Sequence, residues 1–355
     1  MFPILNLWGI GMNAKGIKKV TIVDVAKEAG VSISTVSRVL NQNTPVAEET
    51  AQRVWEVIER LQFNPNAAAR KLASKRTNTI GLIVPMIGGT FFPLMFSGIE
   101  RGVNEEGFEL LVYVSPCHPV PHRPLTPPVG PQNTDGLIVF TEGMSDEDLR
   151  ALHVKGFPIV LLHRTSPKDC EIPYVTVENR LGTEKLIDHL IEVHGYTRIG
   201  FLRGPVTNEE SHEREQGFRA SLQKHGLQPD EALFGIGNFH PETAAESVRQ
   251  MLSSGKRPQA IFTGDDASAA AVMKALLEMG VSIPDEIAIV GFDDDYLAPY
   301  LPLPLTTVHS PIEQAGYTAA QLLIQQIRGE AVQSQVLPTH LVIRRSCGCI
   351  TSHPS

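Results

Sequence analysis

Two hydrophobic periods divide the chain. Apolar residues recur at helical spacing from residue 20 to 62, and strand-like apolar runs alternate with amphipathic stretches from residue 79 onward. In VTIVDVAKEAGVSISTVSRVLN (20–41), Ile22, Val25, Ala26 and Ala29 share one face and predict a first helix with Thr21 as its cap. Gly30 stops that helix, Val31 anchors the turn, and Ser32 caps a second helix with Val36, Val39 and Leu40 inward. Small Ala26 lets the two helices approach closely, so the spacing reads as a helix-turn-helix. A third helix over Glu48–Gln62 supplies Val54, Val57, Ile58 and Leu61 to a small core, with Trp55 in that core or at its edge. Pro65 breaks it, and Asn66 caps a short alanine-rich helix that two turns cannot stabilise alone.

Beyond Thr79 the strand-like runs are Ile80–Val84, Glu109–Val114, Gly136–Phe140, Pro158–Leu162, Ile199–Leu202, Ala260–Phe262 and Ala288–Gly291. Between them Phe92–Glu106, Gly182–Val193, Glu213–His225, Pro241–Ser254 and Ala267–Met279 read as amphipathic helices. Such alternation predicts parallel sheets covered on both faces by helices, and the length suffices for two lobes. Ligands of open α/β sheets sit at the carboxyl ends of strands, so two facing lobes would enclose one in a cleft.

Charge sharpens this division. The chain carries a net −8, yet residues 1–78 hold 11 Lys/Arg against 6 acids, +5, which leaves −13 for the rest. A basic head on an acidic body fits a nucleic-acid reader joined to a sensor. Four cysteines make no disulfide framework and imply a reduced, cytoplasmic protein. The Cys347-x-Cys349 tail offers too few ligands at short spacing for zinc, so no metal and no cofactor are expected. The apolar start MFPILNLWGIGM lacks a basic n-region and a cleavage site, and Met12 is read as an alternative start. No run of 18 apolar residues suggests a membrane span.

With Val36 and Val39 buried, Ile33, Ser34, Ser37 and Arg38 face outward. An apolar side chain beside hydroxyls and a guanidinium suits thymine methyls, phosphates and guanine in a major groove. In the body, polar and aromatic residues at strand ends suit a hydroxyl-rich ligand: Phe91 and Phe92, His163 and Arg164, Arg214, Phe239, Asp265 and Asp293. Asp293-Asp294-Asp295 reads as a strand-end turn with one pocket carboxylate rather than a metal site. The histidines show no catalytic spacing. A phosphate-binding glycine loop, a nucleophile elbow and a paired-carboxylate constellation are all missing from the sequence, so the chain is not read as an enzyme.

VTIVDVAKEAGVSISTVSRVLN, followed by FNPNAAARKLA, closely resembles the lactose/galactose-repressor (LacI/GalR) family from about residue 20 to 349. The resemblance implies an all-α helix-turn-helix head plus an α/β periplasmic-binding-protein-like type I sensor with two Rossmann-like lobes. It implies a disordered extension at 1–19, a DNA-binding domain at 20–64, and a hinge helix and linker at 65–78. The sensor N-lobe would take 79–177 with 311–339, and the C-lobe 178–310 with 340–355, with crossings near Val177–Asn179, Thr307–Ser310 and Pro338–Leu341. Ile33, Ser34 and Arg38 match base-reading positions, and Leu72 matches a leucine that wedges into the minor groove. Thr21, Ser32, Thr35, Ser37, Asn41 and Asn66 complete the expected DNA contacts. Arg214, Asp293, Phe239 and Asp265 match ligand-binding positions. His163 stands where relatives usually carry Asp, and Ser310 where Gln is commoner. The proline-rich Ser115–Gln132 replaces a usual amphipathic helix with what reads as an extended surface loop. The implied protein is a repressor on a palindromic double-stranded operator, a homodimer with a tetramer as the larger option. Its implied effector is a carbohydrate, with a nucleoside or other small metabolite as the alternative. A transport solute-binding protein would share the body but have no use for residues 20–75.

Overall fold

A computed structural model describes residues 20–41, 45–63, 77–115 and 128–350. The expected extension, Asn66, Leu72 and most of the proline-rich segment lie outside these residues. The chain separates into two compact units after Arg76.

Among the described residues the head contributes α1 (Ile22–Ala29), α2 (Ile33–Asn41) and α3 (Glu48–Arg60). The Asp24 carboxylate accepts the Thr21 backbone N–H at 2.9 Å and its hydroxyl at 2.7 Å, which fixes the first turn of α1. Gly30 closes α1 at φ +65°, a conformation that glycine adopts without a Cβ penalty. Val25, Ala26, Ala29, Val36, Val39, Val54, Val57, Ile58 and Phe63 form the core. Trp55 stands on the surface, 41% exposed. The third helix ends at Arg60, earlier than the periodicity suggested. Gln62 at φ +48° turns the chain so that Phe63 folds back into the core.

The body carries two parallel sheets. The first contains β1 (Thr79–Val84), β2 (Glu109–Val114), β3 (Gly136–Phe140), β4 (Ile159–Leu162), β5 (Tyr174–Val177) and β11 (Gln335–Leu337), in the order β11-β5-β4-β3-β1-β2. β1, β3 and β4 are buried along their whole length beneath α4 (Phe91–Glu105), α5 (Asp146–Val154) and α10 (Ile312–Ile327), whereas β5 is buried only at alternate residues. The second is β7 (Phe234–Ile236), β6 (Ile199–Arg203), β8 (Ala260–Thr263) and β9 (Ala288–Val290), in that order. Its helices are α6 (Asn179–His194), α7 (Glu209–Lys224), α8 (Pro241–Ser253) and α9 (Asp266–Glu278). β10 (Thr307–His309) pairs antiparallel with β12 (His340–Val342), and the Val290–Thr306 and Asp293–His309 bridges join that ribbon to β9. Among the described residues no helix is long and apolar enough to cross a membrane.

The chain passes from the first sheet to the second after β5, returns between β10 and α10, and leaves again between β11 and β12. Glu178 ties two of these passages. Its N–H donates to the Leu337 carbonyl at 3.0 Å, and its own carbonyl accepts the Thr339 hydroxyl at 3.2 Å. Two boundaries differ from expectation. Thr77 and Asn78 belong to the body, since their N–H groups both donate to the Asp135 carboxylate at 2.7 Å. The end of the expected surface loop is also held inside, because Val129 is buried over Gly81 and against Leu137.

The first lobe closes where α4 meets α10. Gly98 lies against the Glu313 carbonyl and Gly316 against the Met95 carbonyl, so each helix rests on the other's bare backbone. Gly98→Ala drives a Cβ into a carbonyl that has no rotamer to move, and should cost about 1–3 kcal/mol in chemical denaturation.

Candidate functional sites

In the head, α2 is built to present one face. Ser32, Ile33, Ser34 and Arg38 are exposed while Val36 and Val39 are buried beneath them. Ile33 is 48% exposed, although an isoleucine gains nothing from water. Ser32 caps the helix by accepting the Thr35 N–H at 3.1 Å, and its hydroxyl also meets Ser34 Oγ at 2.7 Å and Thr35 Oγ1 at 2.8 Å. Hydroxyls and backbone N–H groups at a helix N-terminus are ready donors to phosphate oxygens. Thr35 and Ser37 are half-buried and Thr21 is exposed. The backbone of Asn41 ends α2, and Asn66 and Leu72 lie outside the described residues.

In the body the expected ligand residues converge on one guanidinium. Arg214, buried on α7, donates from Nε to Asn179 Oδ1 at 2.9 Å and from a terminal nitrogen to Asp293 Oδ1 at 3.3 Å. Its other terminal nitrogen donates to the Gly264 carbonyl. The guanidinium carbon lies 3.8 Å from the Phe292 ring centre and 5.5 Å from that of Phe239. Asn179 Nδ2 then donates to Glu210 Oε1 at 3.1 Å, and the same oxygen meets His163 Nδ1 at 2.8 Å. His163 in turn sits edge-on to Phe91, with ring centres 5.3 Å apart, and Phe91 is edge-on to Phe92. Asp265 caps α9 by accepting the Ser268 N–H at 3.3 Å, and Ser310 donates its N–H to the Asp293 carbonyl at 3.1 Å.

Three further details mark this region. His163, Phe239 and Asp293 hold left-handed backbones at φ +58°, +51° and +112°. Strain of about 1–3 kcal/mol per residue persists where the surroundings enforce it, as at ligand clamps. His163 Nε2, Asp265 Oδ1 and Ser310 Oγ are buried without a hydrogen-bond partner among the described residues. Buried polar atoms in native proteins usually have partners, so these three are suited to meeting a polar ligand. A cavity of about 590 Å³ opens beside the first crossing, bordered by His163, Asn179 and Glu210. Arg214, Phe239, Asp265 and Asp293 are not in its wall.

The two lobes are linked by named contacts at the cleft. His163, after β4, meets Glu210 at the start of α7; beside it Thr165 gives its N–H and hydroxyl to Glu209 at 2.8 and 2.7 Å. Thr90, before α4, donates to Asp295 Oδ2 at 2.6 Å. The aspartate triplet divides its work: Asp293 faces Arg214, Asp294 pairs with Arg344 at 2.7 Å, and Asp295 accepts from Thr90. Arg164, expected in the cleft, points elsewhere. It donates to the Thr141 and Met144 carbonyls and pairs with Asp146, because those carbonyls turn inward after β3. Glu210 and Asn179 were missed as site residues. The start of α7 was placed at Glu213, which hid that Glu210 lies one turn before Arg214 on the same face.

Burial raises the Asp265 carboxyl, and it lifts Asp293 well above the usual range despite Arg214. Glu210 goes the other way. Burial alone would raise it, but the His163 charge and hydrogen bond, Arg214 and Asn179 together hold it at about 2. A depressed carboxylate stabilises the fold above its ordinary value, here 4.5, and that contribution is lost as pH falls through about 2. Glu210→Gln should therefore flatten the acid limb of the melting-temperature profile below pH 4.5, and lower neutral stability by about 3–5 kcal/mol.

The head matches the model for bacterial regulatory proteins of the lacI family over residues 21–66, and residues 187–347 match a periplasmic binding protein-like domain. The chain is 31% identical over 342 residues to the HTH-type transcriptional repressor PurR of Aliivibrio salmonicida, covering 92% of this chain and 98% of that protein. It is 32% identical over 318 residues to the ribose operon repressor of Escherichia coli K12, covering 89% and 96%. Among solved structures, the lac repressor dimer bound to operator and an anti-inducer superposes with a TM-score of 0.80 at 28% identity, covering 93% of this chain and 99% of that one. A CelR–cellobiose complex superposes at 0.68 and 28%, covering 92% and 99%. With near-complete coverage of these regulators, the chain belongs to the lacI family of DNA-binding transcription regulators.

Proposed function

We propose that the chain is a homodimeric repressor of a palindromic operator, acting in the cytoplasm, whose DNA affinity is set by an uncharged polyhydroxyl ligand, a carbohydrate. The observation that carries the ligand reading is the Arg214 cluster with its partnerless neighbours His163 Nε2, Asp265 Oδ1 and Ser310 Oγ. Carboxyls and one guanidinium offer directional partners to hydroxyls, while Phe91 and Phe239 offer apolar faces. Burial holds Asp265 and Asp293 toward their neutral, hydrogen-bonding form, which suits hydroxyls better than a second anion. The named relatives include a ribose operon repressor and a cellobiose-bound regulator, which fits a sugar.

The ligand acts by changing which lobe-to-lobe contacts are kept. Its hydroxyls compete for the His163–Glu210 contact between the lobes and for the Arg214–Asp293 pair within the second lobe, so it favours one closure of the lobes over another. A ligand shifts such an equilibrium only through differential affinity. On DNA, Ile33, Ser34 and Arg38 read base edges, and Ser32, Thr35 and Ser37 meet the backbone.

Two measurements test this. In fluorescence anisotropy with a palindromic duplex, Arg38→Ala should weaken sequence-preferring binding by about 5–150-fold, the equivalent of one lost base contact of about 1–3 kcal/mol. Absence of any sequence preference at moderate salt overturns the DNA half. In a calorimetric screen of sugars, sugar phosphates and nucleosides, neutral sugars should bind. Arg214→Ala and Asp293→Ala should each raise Kd at least about tenfold. Preferential binding of nucleosides or sugar phosphates overturns the ligand assignment and leaves the repressor reading intact.

A further inference from the structure

The C-terminal cysteines, too few for a metal on their own, are joined in the fold by two histidines from α6. Cys349 Sγ lies 3.4 Å from His194 Nε2 and 3.6 Å from His189 Nε2, and Cys347 Sγ lies 3.7 Å from His189 Nε2. All four ligand atoms fall within 4.8 Å of one another. A tetrahedral zinc with Zn–S near 2.3 Å and Zn–N near 2.0–2.1 Å has sulfur–nitrogen edges of about 3.5–3.6 Å. The spacing of these side chains already matches that figure.

The surroundings hold the four groups in place. Gly348, between the cysteines, adopts φ +106°, which brings both thiols to the same side of the chain; a Cβ there would press on His194 and the Tyr196 hydroxyl. Tyr196 donates to the Cys347 carbonyl at 3.2 Å, and its ring stacks on His194 at 5.3 Å between centres. Thr306 donates its hydroxyl to Cys347 Sγ at 3.1 Å, the kind of outer contact that steadies a thiolate ligand. Cys347 is buried, while Cys349, His189 and His194 keep partial exposure that gives an ion a way in.

We infer that His189, His194, Cys347 and Cys349 form a structural metal site for zinc, one ion per chain. Two thiolates with two imidazoles in tetrahedral array is a zinc donor set, and four protein ligands leave no position for substrate. The site pins Cys347 and Cys349 to the C-terminal end of α6. The other end of that helix carries Asn179, the partner of Arg214, about 24 Å away along 16 residues. The metal therefore anchors the helix that frames the cleft without entering it.

The test uses the full chain, purified without a polyhistidine tag, and elemental analysis by mass spectrometry. Wild type should carry about one zinc per chain as isolated or after zinc incubation and desalting. Cobalt exchange should give visible d–d bands with a thiolate charge-transfer band. Cys349→Ser and His194→Gln should each lose zinc at least about tenfold, while Cys170→Ser, remote from the cluster, should retain it. A strong chelator should lower the wild-type melting temperature and leave Cys349→Ser unmoved, a readout that also covers any folding defect in the variants. Less than about a tenth of an ion per wild-type chain, full retention by Cys349→Ser, or a Cys347–Cys349 disulfide under reducing purification overturns the assignment.

Discussion

A guanidinium with three per cent of its surface in contact with solvent needs partners on every edge, and Arg214 has gathered them from four separate stretches of chain. Asn179 opens α6, Gly264 follows β8, Phe292 and Asp293 follow β9, and Glu210 sits one turn earlier on α7. Removing a cation from water costs several kcal/mol before pairing. The second lobe's strand ends are therefore obliged to meet here, and the positive φ at Asp293 is the local cost of aiming its carboxylate. Phe239 is held against Gly204 and Gly264, where no side chain intervenes. The cleft is the consequence of neutralising one charge in a place where water cannot.

The same constraint reaches the other lobe. Glu210 is shared between Arg214 and His163, so the second lobe's ion pair continues into the first lobe through an imidazole. Aspartate at position 163 would set a carboxylate against Glu210 in a dry site. The histidine and the glutamate fit each other, which gives a physical reason for a histidine where the resemblance implies aspartate. Thr90 and Thr165 add neutral or singly charged contacts around it. Among the described residues these hydrogen bonds cross between the lobes, an arrangement that suits the proposed opening and closing.

The head was legible almost residue by residue, because its core follows one helical period and Gly30, Thr21 and Ser32 sit where caps must be. The long buried strands were equally plain, since parallel strands covered on both faces read as unbroken apolar runs. The short strands β5, β7 and β10 to β12 were not, because three or four residues give no period and their pairing is set by distant chain. In the cleft, strand ends and family likeness pointed to Arg214, Asp293 and His163, which the structure joins in one hydrogen-bonded network while their ligand role stays a proposal. Glu210 and Asn179 escaped because their role exists only across sequence gaps of 31 and 35 residues. His189 and His194 lie more than 150 residues from the cysteines they approach, a juxtaposition no local spacing displays.

The threefold passage between sheets also sets the order in which the protein can be made. β11 pairs with β5 across 160 residues, and the glycine face of α4 stays uncovered until α10 arrives. The second sheet, in turn, waits for β12 and for Ser346, which ties Ile289 and Thr306 together. A chain emerging from the ribosome therefore carries the first sheet without its edge strand β11 until residues 335–337 are free, and the ribbon beside the second sheet without β12 until residues 340–342 follow. Such non-local closure makes folding slow relative to helical proteins of similar length. It also makes residues 335–346 the stretch that closes both lobes.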